Sequence, residues 1–306
     1  MEKNYLNFIT EFLDESVEMK PGPTLLKPLV HREPTIKAFI FDVYGTLLIS
    51  ASGDIDESVF STENLSQAFE AAGIQLLVNS GHINGFLTGM LDEFRQSIKT
   101  FHQEEFKEDK PYPEVDILQI WENILFRHLS AGEIHFKDPL CTKCFTFVFE
   151  VLSNRIYPMP GMKELIRELS ERKFTLGIIS NAQFYTPVIL NFFLHHSVTD
   201  SEQVKPFDPD LTVFSYTYRR SKPDPYLFKL MRDQCIRKYG LISDEILYIG
   251  NDMFRDVYPA FQAGFRTALF AGDARSLRLR QEKTELKKIV PDFIITDLMQ
   301  LLTIVQ

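Results

Sequence analysis

Cysteine is scarce in this chain, with three residues in 306. An odd, scattered set builds no disulfide framework. Tryptophan occurs once, although 27 phenylalanines lift the aromatic share to 13%, enough for a densely packed interior. No run approaches the ~20 apolar residues that span a bilayer. The opening stretch MEKNYLNFITEFLDESVEMK has acids interrupting every apolar run, unlike a secretory leader. Positive charge is in the minority, with 33 Lys and Arg against 42 Asp and Glu. The net charge of −9 argues against a general grip on nucleic acid. It leaves room for an anionic substrate, because a local site can be positive inside an acidic protein. The expectation is a cytoplasmic protein acting on a small, anionic molecule, with no nucleic-acid or membrane partner; oligomeric state is not legible. Apolar content of 44% with 25% charged residues is ordinary globular composition. At this length folding buries roughly three quarters of the extended chain's surface, so no covalent staple is required.

There is no internal repeat or low-complexity tract. Residues 1–35 read as an N-terminal extension: a short amphipathic helix from Tyr5 to Val17, broken by Pro21-Gly22-Pro23. The apolar run Ile36–Phe41 then reads as a buried strand delivering a polar loop, Asp42-Val43-Tyr44-Gly45-Thr46. Residues 50–156 carry helical patterning, over Asn64–Ala72, Ile83–Thr100, Val115–His128 and Leu140–Leu152. Alternation resumes with a helix over Met162–Arg172, a strand over Phe174–Ile179 and a helix over Tyr185–Leu194. Strands follow at Thr212–Tyr216, Ile246–Ile249, Thr267–Phe270 and Phe293–Ile295. Such alternation predicts an α/β fold: a Rossmann-like, three-layer parallel-sheet core from 36–49 and 157–306, interrupted by an inserted helical domain at 50–156. Ligand sites in such sheets gather at the carboxyl ends of the strands. Charge-rich Arg275–Lys288 reads as a solvated helix.

Four loops sit at such ends, and each has two readings. Asp42 and Gly45 suit a turn, yet a carboxylate there can also attack an electrophile. Ser180-Asn181 can cap the next helix or hydrogen-bond substrate oxygens; both can hold together. Lys222, in Ser221-Lys222-Pro223-Asp224-Pro225, is either solvated or placed to neutralise Asp42 and an anionic substrate. Asp252 and Asp256, after Gly250-Asn251, either complement a helix dipole or ligate a hard cation such as Mg²⁺.

In this order, with an insertion after the first loop, the chain resembles the haloacid dehalogenase superfamily, whose four motifs match Asp42–Thr46, Ser180, Lys222 and Asp252/Asp256. The resemblance covers about residues 36–300, with 50–156 corresponding to the cap in position and helical texture. It implies a hydrolase acting through an aspartyl intermediate on Asp42. Ser180, with Asn181 and Thr46, would bind the transferring group, and Lys222 would balance charge. Asp42, the backbone carbonyl of Tyr44, Asp252 and Asp256 would hold Mg²⁺.

Two departures pull apart. The phosphatase branch usually carries an Asp two residues after the nucleophile, as general acid; here that residue is Tyr44. The 2-haloacid dehalogenases also have Tyr there, because halide leaves without a proton. They work without metal, however, and lack the acids kept here at 252 and 256, which would repel Asp42 unless a cation lay among them. Asn251 stands where the family more often has an acid. The reading favoured is a Mg²⁺-dependent phosphatase on a small phosphate ester, with Tyr44 or a cap residue as proton donor. The alternatives are a metal-independent dehalogenase-like hydrolase and a non-catalytic small-anion-binding member of the fold.

Within the cap, Tyr112-Pro113-Glu114-Val115-Asp116-Ile117 and then Trp121 is the most distinctive stretch. Glu114 reads as the cap of the helix beginning near Val115, or, with Tyr112, as a substrate contact. Cys141, Cys144 and nearby His135 invite a zinc reading, but four ligands are needed and no second pair exists. A buried small-apolar pair is the simpler account.

Overall fold

The computed structural model describes residues 2–52, 60–136, 141–198 and 201–306. Helix α1 (Glu2–Asp14) precedes strands β1 (Ala38–Phe41) and β2 (Leu48–Ser50). Then come α2 (Thr62–Ala71), β3 (Ile74–Leu76), α3 (Ile83–Glu105), α4 (Ile117–Ser130), β4 (Ile134–Phe136), α5 (Cys141–Ser153) and β5 (Ile156–Pro158). The alternating part follows as α6 (Met162–Glu171), β6 (Thr175–Ser180), α7 (Thr186–His195), β7 (Thr212–Phe214), α8 (Ser215–Tyr218), α9 (Pro225–Tyr239) and β8 (Ile246–Gly250). It closes with α10 (Tyr258–Gln262), β9 (Arg266–Phe270), β10 (Phe293–Ile295) and α11 (Leu301–Ile304).

Six strands make one sheet in the order β10-β9-β8-β1-β6-β7, parallel throughout. Strand β1 is buried on both faces, which is why its sequence is apolar without alternation. Phe39 and Phe41 join Leu176, Ile178, Leu247 and Ile249 in the larger core. Ala38 and Ile40 turn the other way, to Ile179, Ile246 and Tyr248 beneath Leu227, Phe228 and Met231 of α9. Two helical layers thus sandwich the sheet. Phe41 pairs with Ile178 and Ile249, so the residues leaving β1, β6 and β8 share one rim.

The helices foreseen between 50 and 156 are present, and their centre is aromatic. Trp121 stacks on Phe94 at 4.5 Å and meets Phe145 and Phe149 edge-on at 4.9 Å. The region is not wholly helical: β3 and β4 form an antiparallel ribbon, and β2 pairs antiparallel with β5. Strands of three residues are too short to display a period.

Two further expectations give way. Residues 275–288 do not form a helix; apart from a 3₁₀ turn at Thr284–Leu286 they are turns and irregular loop, with Arg278 bridged to Asp252. Residues up to 35 are also more than an appendage. Ile9 and Leu13 are fully buried, Phe12 meets Phe147 edge-on, and Leu29 pairs antiparallel with Ile294 beside β10. Leu140 and the side chain of Cys141 lie outside the described residues; Cys144 is buried, with its thiol donating to Ala71 O (3.9 Å). Among the described residues no helix is long and apolar enough to cross a membrane.

Candidate active site

Asp42 leaves β1 with its own amide bonded to Ile249 O (2.8 Å), which fixes it at the rim; it is 4% exposed. The loop then turns through Gly45 at φ +86°, where an added Cβ would sit 2.7 Å from both Asn251 Nδ2 and Ser276 Cβ. Only glycine allows that approach. The turn brings Thr46 back so that its hydroxyl reaches Asp42 Oδ2 (3.1 Å) and Asn251 Oδ1 (3.2 Å). With one proton, the hydroxyl serves one of them at a time.

Ser180, at the end of β6, donates to Asp42 Oδ1 over 3.3 Å. Asn181, which lines the pockets at the site, has its Oδ1 accepting from Lys222 N (2.6 Å) and its Nδ2 donating to Lys222 O (3.3 Å). The carboxamide clasps the backbone that carries the lysine. Lys222 is 4% exposed, and its Nζ lies 2.6 Å from Asp42 Oδ1 and 2.6 Å from Asp256 Oδ1. Burial is the largest influence on this ammonium and would favour losing the proton. Asp256 and Asp42 together outweigh it and hold the pKa above the ordinary lysine value.

The loop after β8 departs most from expectation. Asp252 is held by a different set of partners from Asp42. Its Oδ1 accepts from the amides of Phe254 (2.8 Å) and Arg255 (3.0 Å), and its Oδ2 takes Arg280 Nε and Nη2 at 3.0 and 2.8 Å. Four hydrogen bonds thus engage its carboxylate, which lines the pocket that contains Asp42 and Asn251. Asp256 turns back toward Gly250, where any Cβ would collide with its carboxyl. Its Oδ1 accepts from Lys222 and from Tyr248 OH (2.9 Å), and its Oδ2 from the Asp252 amide (3.0 Å). Burial raises its pKa, and Lys222 works against that rise. Among the described residues no three His, Cys, Asp or Glu side chains are grouped to hold a metal, neither here nor around Cys144 and His135. The residue beside Asp42 is Asn251, anchored by its Nδ2 to Ser276 O. The asparagine carries no charge to advertise it; its place directly after the β8 glycine was the available signal.

Tyr44 points its phenol at Thr186 Oγ1 (2.8 Å). Burial raises its pKa, with Glu150 and Asp42 adding to the rise, so it is a poor acid.

Above this floor lies a cavity of about 580 Å³ walled by Lys222, Arg95, Arg255, Arg280 and Lys283, together with Glu114, Glu150 and several aromatics. A smaller pocket, sharing Asn181, Lys222 and Arg255 with it, contains Asp42 and Tyr44. Glu114 does not cap α4; Asp116 does, accepting from Gln119 N (3.2 Å). Glu114 instead accepts from Ser215 Oγ (2.7 Å) and Gln183 Nε2 (3.4 Å).

The profile of the haloacid dehalogenase-like hydrolases matches residues 36–264. A glyceraldehyde 3-phosphate phosphatase of Pyrococcus furiosus is 23% identical over 83% of this chain and 91% of its own. Pyrophosphatase PpaX of Oceanobacillus iheyensis is 24% identical over 50% of this chain and 62% of its own. Among solved structures, a 2-haloacid dehalogenase from Pseudomonas syringae pv. Tomato DC3000 aligns with a TM-score of 0.51 at 18% identity, covering 88% of this chain and 97% of the other; that likeness speaks for the fold alone.

Proposed function

Since the chain belongs to the haloacid dehalogenase-like hydrolase family, we propose that it hydrolyses a small phosphate monoester through an aspartyl-phosphate on Asp42. One observation carries the reading: Asp42, gripped by Lys222, lies in a pocket that opens to a cavity whose wall is rich in cations. Such a wall suits a phosphate dianion, and a halocarboxylate would engage it with only a single negative charge. The phosphatases among the relatives point the same way.

In this mechanism the Asp42 carboxylate attacks phosphorus, and Lys222 offsets charge building on the transferring group. Ser180, now turned to Asp42 Oδ1, is within reach to donate to a phosphoryl oxygen. Asn181 is a positioning residue, acting through the Lys222 backbone. Asp256 and Tyr248 keep the ammonium aimed. The segment 50–156 serves as the cap, limiting water around the intermediate.

The donor set fits a hard cation. Asp42 Oδ2 and Asn251 Oδ1 are neighbours, since both lie within 3.2 Å of one hydroxyl, and Mg²⁺ takes one or two protein oxygens and keeps its waters. When bound there, Mg²⁺ supplies charge neutralisation for the phosphoryl oxygens.

The test is hydrolysis of p-nitrophenyl phosphate with and without Mg²⁺. Turnover should need the metal and fall by more than about a thousandfold in Asp42→Asn. Failure to turn over any phosphate ester with Mg²⁺ present would overturn the reading. Tyr44 favours a second reading, a dehalogenase, and chelator-insensitive chloride release from 2-chloropropionate would establish it instead.

A further inference from the structure

Replacement of the usual acid by Tyr44 leaves the leaving oxygen without a proton source from the core, and the cap holds an unexplained carboxyl. Glu150 lies on α5 among buried Phe145, Phe147, Val148 and Phe149. Its Oε2 accepts from Tyr185 OH (3.3 Å). Its Oε1 is sealed from solvent without a well-formed hydrogen bond, and so is Nε1 of Trp121, whose indole is close enough to lower the carboxyl's pKa. A carboxyl in an aromatic block costs stability, a cost that its contacts with Tyr185 and the Trp121 indole offset only in part.

Its position supplies a role. Glu150 lines the 580 Å³ cavity together with Lys222 and Asn181. It also lines a recess with Tyr44 and Asn154, both of which border the Asp42 pocket as well. The carboxyl therefore borders spaces that share Tyr44, Asn154, Asn181 and Lys222 with the Asp42 pocket. We propose that Glu150 is the general acid–base of this enzyme, contributed by the cap in place of a core aspartate.

The inference rests on the phosphatase reading. As the Asp42 O–P bond forms and the ester P–O bond breaks, the Glu150 proton passes to the departing alkoxide, releasing alcohol. The Glu150 carboxylate then takes a proton from the water that attacks phosphorus. The aspartyl P–O bond breaks, inorganic phosphate leaves, and Glu150 is protonated again. The surroundings suit both halves. The recess is lined by no cation among the described residues; the polar groups acting on Glu150 are Tyr185 at the start of α7 and Trp121 of α4, with Tyr44 opposite. Lys143 of the same helix lies over the Phe184 ring, and Glu114 acts on Tyr185. Burial, the dominant influence, pushes the carboxyl up to about 7, near where an acid–base group works best at neutral pH.

The experiment compares p-nitrophenyl phosphate, whose leaving group needs no proton, with propyl phosphate, whose leaving group does, at saturating Mg²⁺. In Glu150→Gln, kcat/KM for propyl phosphate should fall about 10²–10⁴-fold, and that for p-nitrophenyl phosphate less than about tenfold. The wild-type enzyme gives a readout that needs no variant: activity on propyl phosphate should decline as pH rises through about 7, and p-nitrophenyl phosphate should lack that limb. Equal losses on both substrates, or the same limb with both, would overturn the role of Glu150 alone. No wild-type turnover of either substrate would overturn the phosphatase reading beneath it.

Discussion

Around Asp42 the acids are already answered by protein cations. Lys222 stands between Asp42 and Asp256, and Arg280 holds Asp252. The repulsion that seemed to demand a divalent ion is thus relieved without one, and the case for Mg²⁺ moves to the Asp42–Asn251 oxygen pair. An amide there offers half of what two carboxylates would. Asn251→Asp should therefore tighten Mg²⁺ binding by about tenfold, or ~1.4 kcal/mol, read by titration calorimetry; unchanged affinity would show that position 251 does not touch the ion. Asp42, Ser180 and Lys222 were legible because each ends an apolar run or precedes a rigid Pro-containing turn. Asn251 was legible only by its place after Gly250, since it carries no charge. Glu150 was not legible, being a single acid in the run Cys141–Ser153 whose burial only the packed aromatics reveal.

At the scale of elements, the loop from β1 to β2 decides whether the first motif works. Gly45 lets the backbone pass against Asn251 and Ser276, and Ser276 Oγ donates to its carbonyl (3.3 Å). Gly45→Ala should lose about 1–3 kcal/mol from the left-handed backbone, with more from the displaced Asn251. Urea unfolding measures the first effect and Mg²⁺ titration the second; a variant of wild-type stability would deny that the loop is this tight. Long elements were readable from their periods, including α3 and β6. The ribbons β2–β5 and β3–β4 were not, because pairing across the chain defines them. The cap of α4 was placed two residues early, on Glu114, since an acid near a helix start looks the same whichever partner it finds.

For the whole molecule, the segment before β1 acts as a strap. It buries Ile9 and Leu13 against the core, ties Gly22 N to Asp273 Oδ1 (2.8 Å), and lays Leu29 along β10, where an open strand edge would otherwise be available to other chains. Two fully buried aliphatic side chains stabilise by roughly 1.5–3 kcal/mol each. Removing residues 1–35 should therefore lower unfolding free energy by about 3 kcal/mol or more in urea. A truncated chain of unchanged stability would reduce the strap to decoration.

The block at 50–156 is joined to the sheet domain by β2 and β5, which are zipped to each other, with the Asn154 carboxamide accepting from Ser50 Oγ (2.9 Å) and Ser52 N (3.1 Å). The two chain crossings are thus bound into one ribbon. On the far side a bolt is drawn: Glu114 N to Arg219 O (3.1 Å), Ser221 N to Tyr112 O (2.8 Å), and the Arg219–Asp116 ion pair at 3.0 Å. Under the proposed mechanism, a cap that opens to admit substrate has to part this seam while the β2–β5 ribbon stays paired, so the contacts made by Ser221 and its neighbours, one residue from Lys222, govern entry to the site.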